Sequence, residues 1–294
     1  MSGALARLGL ALAWLFQWLP LPLQSLLGGW LGRLLHASAG QRRRIATTNV
    51  ALCLPELDAH ARSALVREHF VWLGRSLLER ALLWYAPRAR LERLIRVEGD
   101  VHLAERSTRP VMWLVPHFLG LDAAGTATQL FQTRQVCSIY AKQSSAVIDA
   151  ALRAGRLRFG RAEIFARTER ALPLVRAIKR GSAFFNLSDM DFGLRDAAFV
   201  PFFGVPAATL LAPSRMARSL DMIVQPVVGE LLPHGAGYRI RFLEPWTDWP
   251  TDDPEADAAR MNRWIESEIR RSPAQYLWVH KRFKTRPPGA APVY

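Results

Sequence analysis

The chain has 294 residues, with 39 Lys+Arg against 25 Asp+Glu and a formal net charge of +14. That length can bury a sizeable core without disulfides or metals, and the charge excess points to an anionic partner: nucleic acid, an anionic membrane surface or a phosphorylated substrate. Cys53 and Cys137 have neither CxxC spacing nor a histidine cluster beside them, so neither a disulfide framework nor a metal site is indicated and two buried, reduced thiols are expected.

Residues 8–32, "LGLALAWLFQWLPLPLQSLLGGWLG", contain no charged side chain and are long enough to be a membrane-anchoring helix. Pro20 and Pro22 interrupt the stretch, and no small-residue cleavage site follows a compact apolar core, which argues against a removed signal peptide. Residues 1–40 are therefore expected to be a retained anchor, and residues 41–294 one catalytic domain. Only Arg7 precedes the stretch while Arg42, Arg43 and Arg44 follow it, a bias that puts the domain in the cytoplasm. Two short helices lying in the membrane interface, or a buried helical hairpin, would fit the same residues.

Further along, 58–85 carries Leu65, His69, Trp72, Leu73, Leu77 and Leu83 close to a helical period, with Asp58 as N-cap. Strands are expected at 94–100 and at 110–117, the second a continuous apolar run suited to a strand buried on both faces. A helix at 121–132, a strand at 134–141, a helix at 144–160 and a short strand at 163–166 follow. Next come a helix at 170–181 stopped by Gly181, a strand at 182–189, a helix at 209–220 and strands at 221–231 and 238–245. A late helix at 253–272 has acids at its start and arginines at its end, as the helix dipole prefers. Strands alternating with helices imply an α/β domain with a central, mostly parallel sheet flanked by helices, and the tail from 287 to 293 is expected to be irregular.

In such a sheet functional groups gather on loops at the carboxyl ends of strands. "PHFLGLD" puts His117 there, with Asp122 five positions later. Five helical residues turn the side chain by about 500°, so the pair can meet only if His117 sits in the Pro116 loop and folds back to the helix. A carboxylate on one ring nitrogen would then fix the tautomer and free the other nitrogen to take a proton from a hydroxyl; the same spacing also suits a structural histidine near an acid in the first turn of a helix. Asp189 and Asp191 in "FNLSDMDFG" lie at the end of another buried strand and can be metal ligands, arginine partners or turn formers. "RLRFGR" gathers Arg156, Arg158 and Arg161 as phosphate binders or a solvated face. "FVPFFG" (199–204) reads as an apolar loop that can line an acyl groove or pack in the core. "YLWVHKRFKTRPP" (276–288) mixes aromatic and basic residues, as nucleic-acid binding or a membrane interface would.

Taken together, "HFLGLD", "SDMDFG" followed by "FVPFFG", and "AQYLWVHKRFKTRP" resemble the motifs of the lipid A late acyltransferases, the lauroyl and myristoyl transferases of Gram-negative inner membranes. The resemblance implies a glycerophosphate-acyltransferase-like domain held by its anchor at the cytoplasmic face of the inner membrane, without cofactor, metal or nucleic acid. The implied reaction moves an acyl chain from acyl carrier protein or acyl-CoA to a hydroxyl of a hydroxyacyl chain on an anionic lipid A precursor. By motif, His117 would be the general base and Asp122 would orient it; relatives may carry Glu at that position, and Asp is one methylene shorter. The family's arginine and aspartate fall on Arg161, with Arg167 as the alternative, and on Asp189, both as substrate-binding residues. Of the arginines in "RLRFGR", Arg161 is thus expected to matter more than Arg156. The same dyad on another lipid acceptor, or a non-catalytic membrane-anchored lipid-binding protein, are the competing readings.

Overall fold

The computed structural model describes residues 3–294; the first two residues of the expected anchor lie outside the described residues. The apolar stretch forms two helices, α1 (Gly3–Phe16) and α2 (Leu21–Ser38), separated at Pro20, which caps the second with Pro22 in its first turn. The single anchoring helix expected from the sequence is therefore corrected to a helical hairpin, and among the described residues no helix is long and apolar enough to cross a membrane.

The hairpin's burial pattern inverts that of a helix pair facing water. Gln17, Gln24, Ser25 and three glycines are buried, whereas Leu12, Trp18 and Trp30 are 59%, 61% and 62% exposed. Gln24 donates from Nε2 to the Leu19 carbonyl at 2.9 Å, while its buried Oε1 has no hydrogen-bond partner among the described residues.

After the hairpin come α3 (Gly40–Cys53), α4 (Ala59–Tyr85), α5 (Arg88–Leu94), β1 (Ile95–Gly99) and α6 (Leu103–Arg106). The central part comprises β2 (Val111–Leu114), α7 (Leu121–Leu130), β3 (Val136–Tyr140), α8 (Ala146–Leu157), β4 (Ala162–Ala166), α9 (Leu172–Lys179) and β5 (Ala183–Asn186). The last part comprises β6 (Ala197–Phe202), β7 (Val205–Leu210), α10 (Ala212–Ser219), β8 (Ile223–Leu231), β9 (Tyr238–Phe242) and α11 (Pro254–Arg271). Asp58 caps α4 by accepting the Ala61 N–H at 2.7 Å, as the sequence leads one to expect.

Seven strands form one sheet in the order β1-β9-β8-β2-β5-β3-β4, with every neighbouring pair parallel except β8–β9. Side chains alternate across it. Met112 and Leu114 of β2 join Val50, Phe70, Ile265 and Trp278 on one face, while Val111 and Trp113 join Leu82, Leu91 and Ala124 on the other. A sheet covered on both faces explains why "VMWL" is apolar throughout.

Two expectations are corrected here. "FVPFFG" is no loop: it is the β6–β7 hairpin, turning at Phe203 and Gly204, both with positive φ. The helix expected from 209 begins at Ala212, because Thr209 and Leu210 complete β7.

The hairpin is fastened to the body where α2 crosses α4 almost backbone to backbone. A Cβ on Gly28 would lie 2.6 Å from the Arg75 Cα, and one on Gly32 only 2.0 Å from the Phe70 carbonyl oxygen. Residues four apart share a helix face, so these two glycines form a groove for α4. Gly32→Leu is therefore expected to cost about 2 kcal/mol or more, seen as a lower thermal midpoint and faster proteolysis within the first forty residues; an unchanged midpoint would mean that α2 does not dock this way.

Candidate active site

The strands β2, β5, β3 and β4 run parallel, so the loops that follow them emerge on one edge. His117 lies in the loop after β2, behind Pro116. Asp189 lies in the loop after the adjacent strand β5. Its Oδ1 is 2.5 Å from the His117 ring Nδ1, and its Oδ2 accepts the His117 backbone N–H at 2.8 Å. One carboxylate thus holds both the ring and the main chain of the histidine. Burial alone would raise the Asp189 carboxyl, but His117, with a further contribution from Arg282, holds it below its ordinary value. An ionised Asp189 requires the proton on Nδ1 and leaves Nε2 as the basic nitrogen, which no protein group among the described residues engages.

The C-terminal segment clasps both loops. Leu277 donates its N–H to the His117 carbonyl at 3.0 Å, and Leu119 donates to the Gln275 carbonyl at 2.8 Å. Asp191 accepts from the Thr285 N–H and hydroxyl at 2.6 and 2.8 Å, and donates its own N–H to His280 Nε2 at 3.2 Å. Burial first, and the charge of His117 second, push His280 down to about 4, which suits it as a neutral acceptor. Tyr276 is buried beside Asp189. Trp278 and Phe283 are buried in the core, so the aromatic and basic C-terminal stretch is internal scaffolding more than an open surface.

Asp122 stands in the first turn of α7, and its carboxylate is taken elsewhere. Arg80 of α4 donates from Nε to Oδ2 at 2.7 Å, and Arg156 of α8 donates from Nη2 to Oδ1 at 2.8 Å. Burial alone would raise Asp122, but the two guanidinium groups outweigh it and hold the carboxyl far below the usual carboxylate range. The expected His117–Asp122 contact is therefore corrected: Asp122 is helical and faces α4 and α8, and Asp189 supplies the bond to the ring.

The two residues of the motif nevertheless share a space. A cavity of about 530 Å³ is lined by His117, Asp122, Arg80, Arg156 and Arg167, with Phe184, Phe185, Leu210 and Met216 among its apolar walls. Arg161 is not among the lining residues; its Nη1 donates to the Gln132 carbonyl at 2.9 Å. Arg158 instead donates to the Leu83 carbonyl at 3.0 Å at the end of α4. The three arginines of "RLRFGR" thus have three different partners, and the one at the cavity is Arg156. Arg80, more than forty residues from Arg156 and Asp122 in the chain, is not singled out by any sequence pattern, because only tertiary packing brings it there. Among the described residues no group of three or more His, Cys, Asp or Glu is arranged to hold a metal ion.

The chain has known relatives. The profile of the bacterial lipid A biosynthesis acyltransferases matches residues 2–285. The chain is 33% identical over 289 residues to a lipid A biosynthesis palmitoleoyltransferase of Escherichia coli K12, covering 97% of this chain and 93% of that protein. It is 32% identical over 293 residues to the lipid A biosynthesis lauroyltransferase of the same organism, covering 99% and 94%. To that organism's lipid A biosynthesis myristoyltransferase it is 29% identical over 277 residues, covering 93% and 83%. With a family profile spanning nearly its whole length and relatives matched almost end to end, the chain belongs to the bacterial lipid A biosynthesis acyltransferase family and is an acyltransferase of lipid A biosynthesis.

Proposed function

We propose that the chain transfers a fatty acyl group from acyl carrier protein or acyl-CoA to a hydroxyl of a hydroxyacyl chain on an anionic lipid A precursor, with His117 as general base. The observation that carries this reading is the His117 ring, gripped by Asp189 and bordering a cavity of about 530 Å³ whose largely apolar lining also holds Arg80, Arg156 and Arg167. His117 Nε2 takes the acceptor hydroxyl's proton as the oxygen attacks the thioester carbonyl. Collapse of the tetrahedral intermediate breaks the carbon–sulfur bond, and the imidazolium returns the proton to the departing thiolate. No serine or cysteine nucleophile is needed. Asp189 holds the tautomer and stabilises the imidazolium.

In this reading Asp122 is a catalytic-site residue of another kind, one that fixes Arg80 and Arg156 in place. Two guanidinium groups against one carboxylate leave a net positive charge for an anionic group of the substrates. Asp189, expected from the sequence to bind substrate, is assigned to His117 instead. Arg156 replaces Arg161 as the cavity arginine.

Residues 1–40 serve as the membrane-contact element and residues 41–294 carry the chemistry. The outward face of the α1–α2 hairpin lies in the headgroup and acyl boundary of the inner membrane, on the cytoplasmic side, with Arg42, Arg43 and Arg44 against anionic lipid. The inverted burial of Gln24 and Trp30 supports that placement.

The decisive test is mass spectrometry of lipid A from a host lacking its own late acyltransferases. An added mass of one fatty acyl group is expected with the wild-type chain, and a loss of at least about 100-fold in turnover with His117→Ala; a folded, active His117→Ala variant would refute the mechanism. Arg156→Ala is expected to lower turnover at least about tenfold more than Arg161→Ala, measured as kcat/KM on the purified chain. Equal, small effects would remove Arg156 from the site.

The ion cluster also has a pH signature. The folded-state carboxyl of Asp122 lies below its unfolded value, so its stabilisation is fully present above about pH 4 and is lost as pH falls through the lowered folded value. Asp122→Asn is expected to destabilise the chain by about 3 kcal/mol at neutral pH, since it leaves two guanidinium groups facing each other. The difference from wild type should shrink as pH falls below about 4, read from denaturant midpoints across the acid range; a constant difference would contradict this account.

A further inference from the structure

The His117 cavity is bordered by loops that carry exposed apolar residues with no role in the core. Residues 167–171 follow β4 and residues 187–196 follow β5, both on the carboxyl edge of the sheet. The two loops touch, because the Arg167 guanidinium lies 5.0 Å from the centre of the Phe192 ring, and both residues line the cavity. Close after each contact residue stands an exposed leucine: Leu172, the first residue of α9, is 53% exposed and Leu194 is 54% exposed. Leu77 of α4 and Ile139 of β3 line the same cavity and are also exposed.

Single exposed leucines are ordinary. Leu77 and Ile139 line the cavity, Leu172 and Leu194 stand on or just after the two loops that border it, and the charge around them is predominantly positive. Arg167, Arg170 and Arg195 are exposed on these two loops, Lys142 in the loop after β3 and Arg176 on α9, against Glu169 and Asp196, and Asp196 is paired with Arg215. Exposed leucines set among arginines are the composition of a surface that meets anionic lipid. The placement agrees: α1 packs against α4 and α8, the helices that supply Leu77 and Arg156 to the cavity. The hairpin's apolar face and the rim thus flank the same pair of helices.

Resting on the proposal that the acceptor is a bilayer lipid, we infer that the cavity rim is a second membrane-contact surface. Leu172 and Leu194 enter the acyl boundary of an anionic bilayer, and Arg167, Arg170 and Arg195 meet lipid phosphates. The mouth is thereby set against the lipid, a task the N-terminal hairpin does not perform alone. A flexible acidic protein would find the cations but has less use for two separated leucines, and it is the outcome that the test separates.

The full chain offers a clean reporter. Cys53 and Cys137 are buried, and burial raises both thiols, so a surface cysteine takes a polarity-sensitive dye selectively. Leu172→Cys and Leu194→Cys are labelled in turn, with Thr133→Cys as control at the opposite, amino edge of the sheet, where Thr133 is exposed. Phosphatidylcholine vesicles containing phosphatidylglycerol should shift the dye at 172 and 194 to the blue and expose it to quenchers in the acyl region, with no change at 133. Leu172→Glu combined with Leu194→Glu should lower turnover on vesicle-embedded acceptor by about tenfold, leaving turnover on detergent-dispersed acceptor unchanged.

Two results would overturn the inference. One is a dye at 194 that stays in water while the protein floats with vesicles, which would leave the hairpin as the sole contact. The other is a shift produced by an acidic carrier protein without vesicles and not by vesicles alone, which would make the rim a protein-docking face. The dye readout needs no turnover, so failure of the acyltransfer proposal and failure of this one are distinguishable.

Discussion

The grip of Asp189 on His117 depends on strand order before it depends on chemistry. β2 and β5 are parallel neighbours, with Met112 opposite Phe184 and Leu114 opposite Asn186. Their following loops must therefore leave the sheet side by side, and residues 72 positions apart come within a hydrogen bond. A buried carboxylate is costly unless it is paired and hydrogen-bonded. Asp189 meets that requirement with the ring and the main chain of His117, with Tyr276 beside it and the buried Arg282 contributing charge. The grip in turn fixes the ring and its free nitrogen. Other elements help to keep it so: Asn49 of α3 donates to the carbonyls of Trp278 and His280 at 2.7 Å each, tying down the segment that clasps both loops. Arg282 anchors the same segment to β7 through the Ala208 carbonyl at 2.7 Å.

The site thus separates two charged devices that a linear motif presents as one. On the proposed function the His117–Asp189 pair handles a proton, while the Arg80–Asp122–Arg156 cluster holds positive charge in fixed geometry. Their proximity matters because the cavity between them is largely apolar. Fixed charges at the edge of a low-dielectric space act more strongly on a bound anion than the same charges in water, and a rigid carboxylate between two guanidinium groups prevents them from collapsing onto the substrate in the wrong place.

Much of this architecture is legible in the amino-acid order itself. The buried strand before His117, the alternation of strands and helices, the cap on α4, the acid-to-arginine polarity of α11, and the family resemblance all rest on local patterns, which survive folding unchanged. Local spacing misleads where it stands as a proxy for contact. His117 and Asp122 are close in sequence, yet α7 begins between them and turns Asp122 toward α4 and α8. Asp189 is recognisable as a site residue without its partner, because no spacing reports which strands are neighbours. A preceding glycine favours Arg161 over Arg156 by motif; the fold distinguishes the two by what each guanidinium touches. The β6–β7 hairpin reads as a loop because its strands contain Pro201 and Pro206, residues usually found at edges and turns. α3, "GQRRRIATTNVALC", carries little apolar periodicity, and its burial comes from one face packed on α4.

The inverted N-terminal hairpin connects this geometry to its solvent. Buried glutamines and exposed tryptophans mark the outer face of these helices as an interaction surface, and on the proposed function a bilayer covers it while leaving the glycine face against α4 intact. The same bilayer bears on the chemistry. A base poised to deprotonate a hydroxyl beside a thioester will also deprotonate water, and hydrolysis then competes with transfer. A mouth sealed by lipid admits the acceptor's chain and keeps bulk water from the base. On the proposed function, membrane contact therefore serves selectivity between two nucleophiles as well as residence, and it accounts for exposed leucines beside the loops that border the cavity as well as on the N-terminal helices.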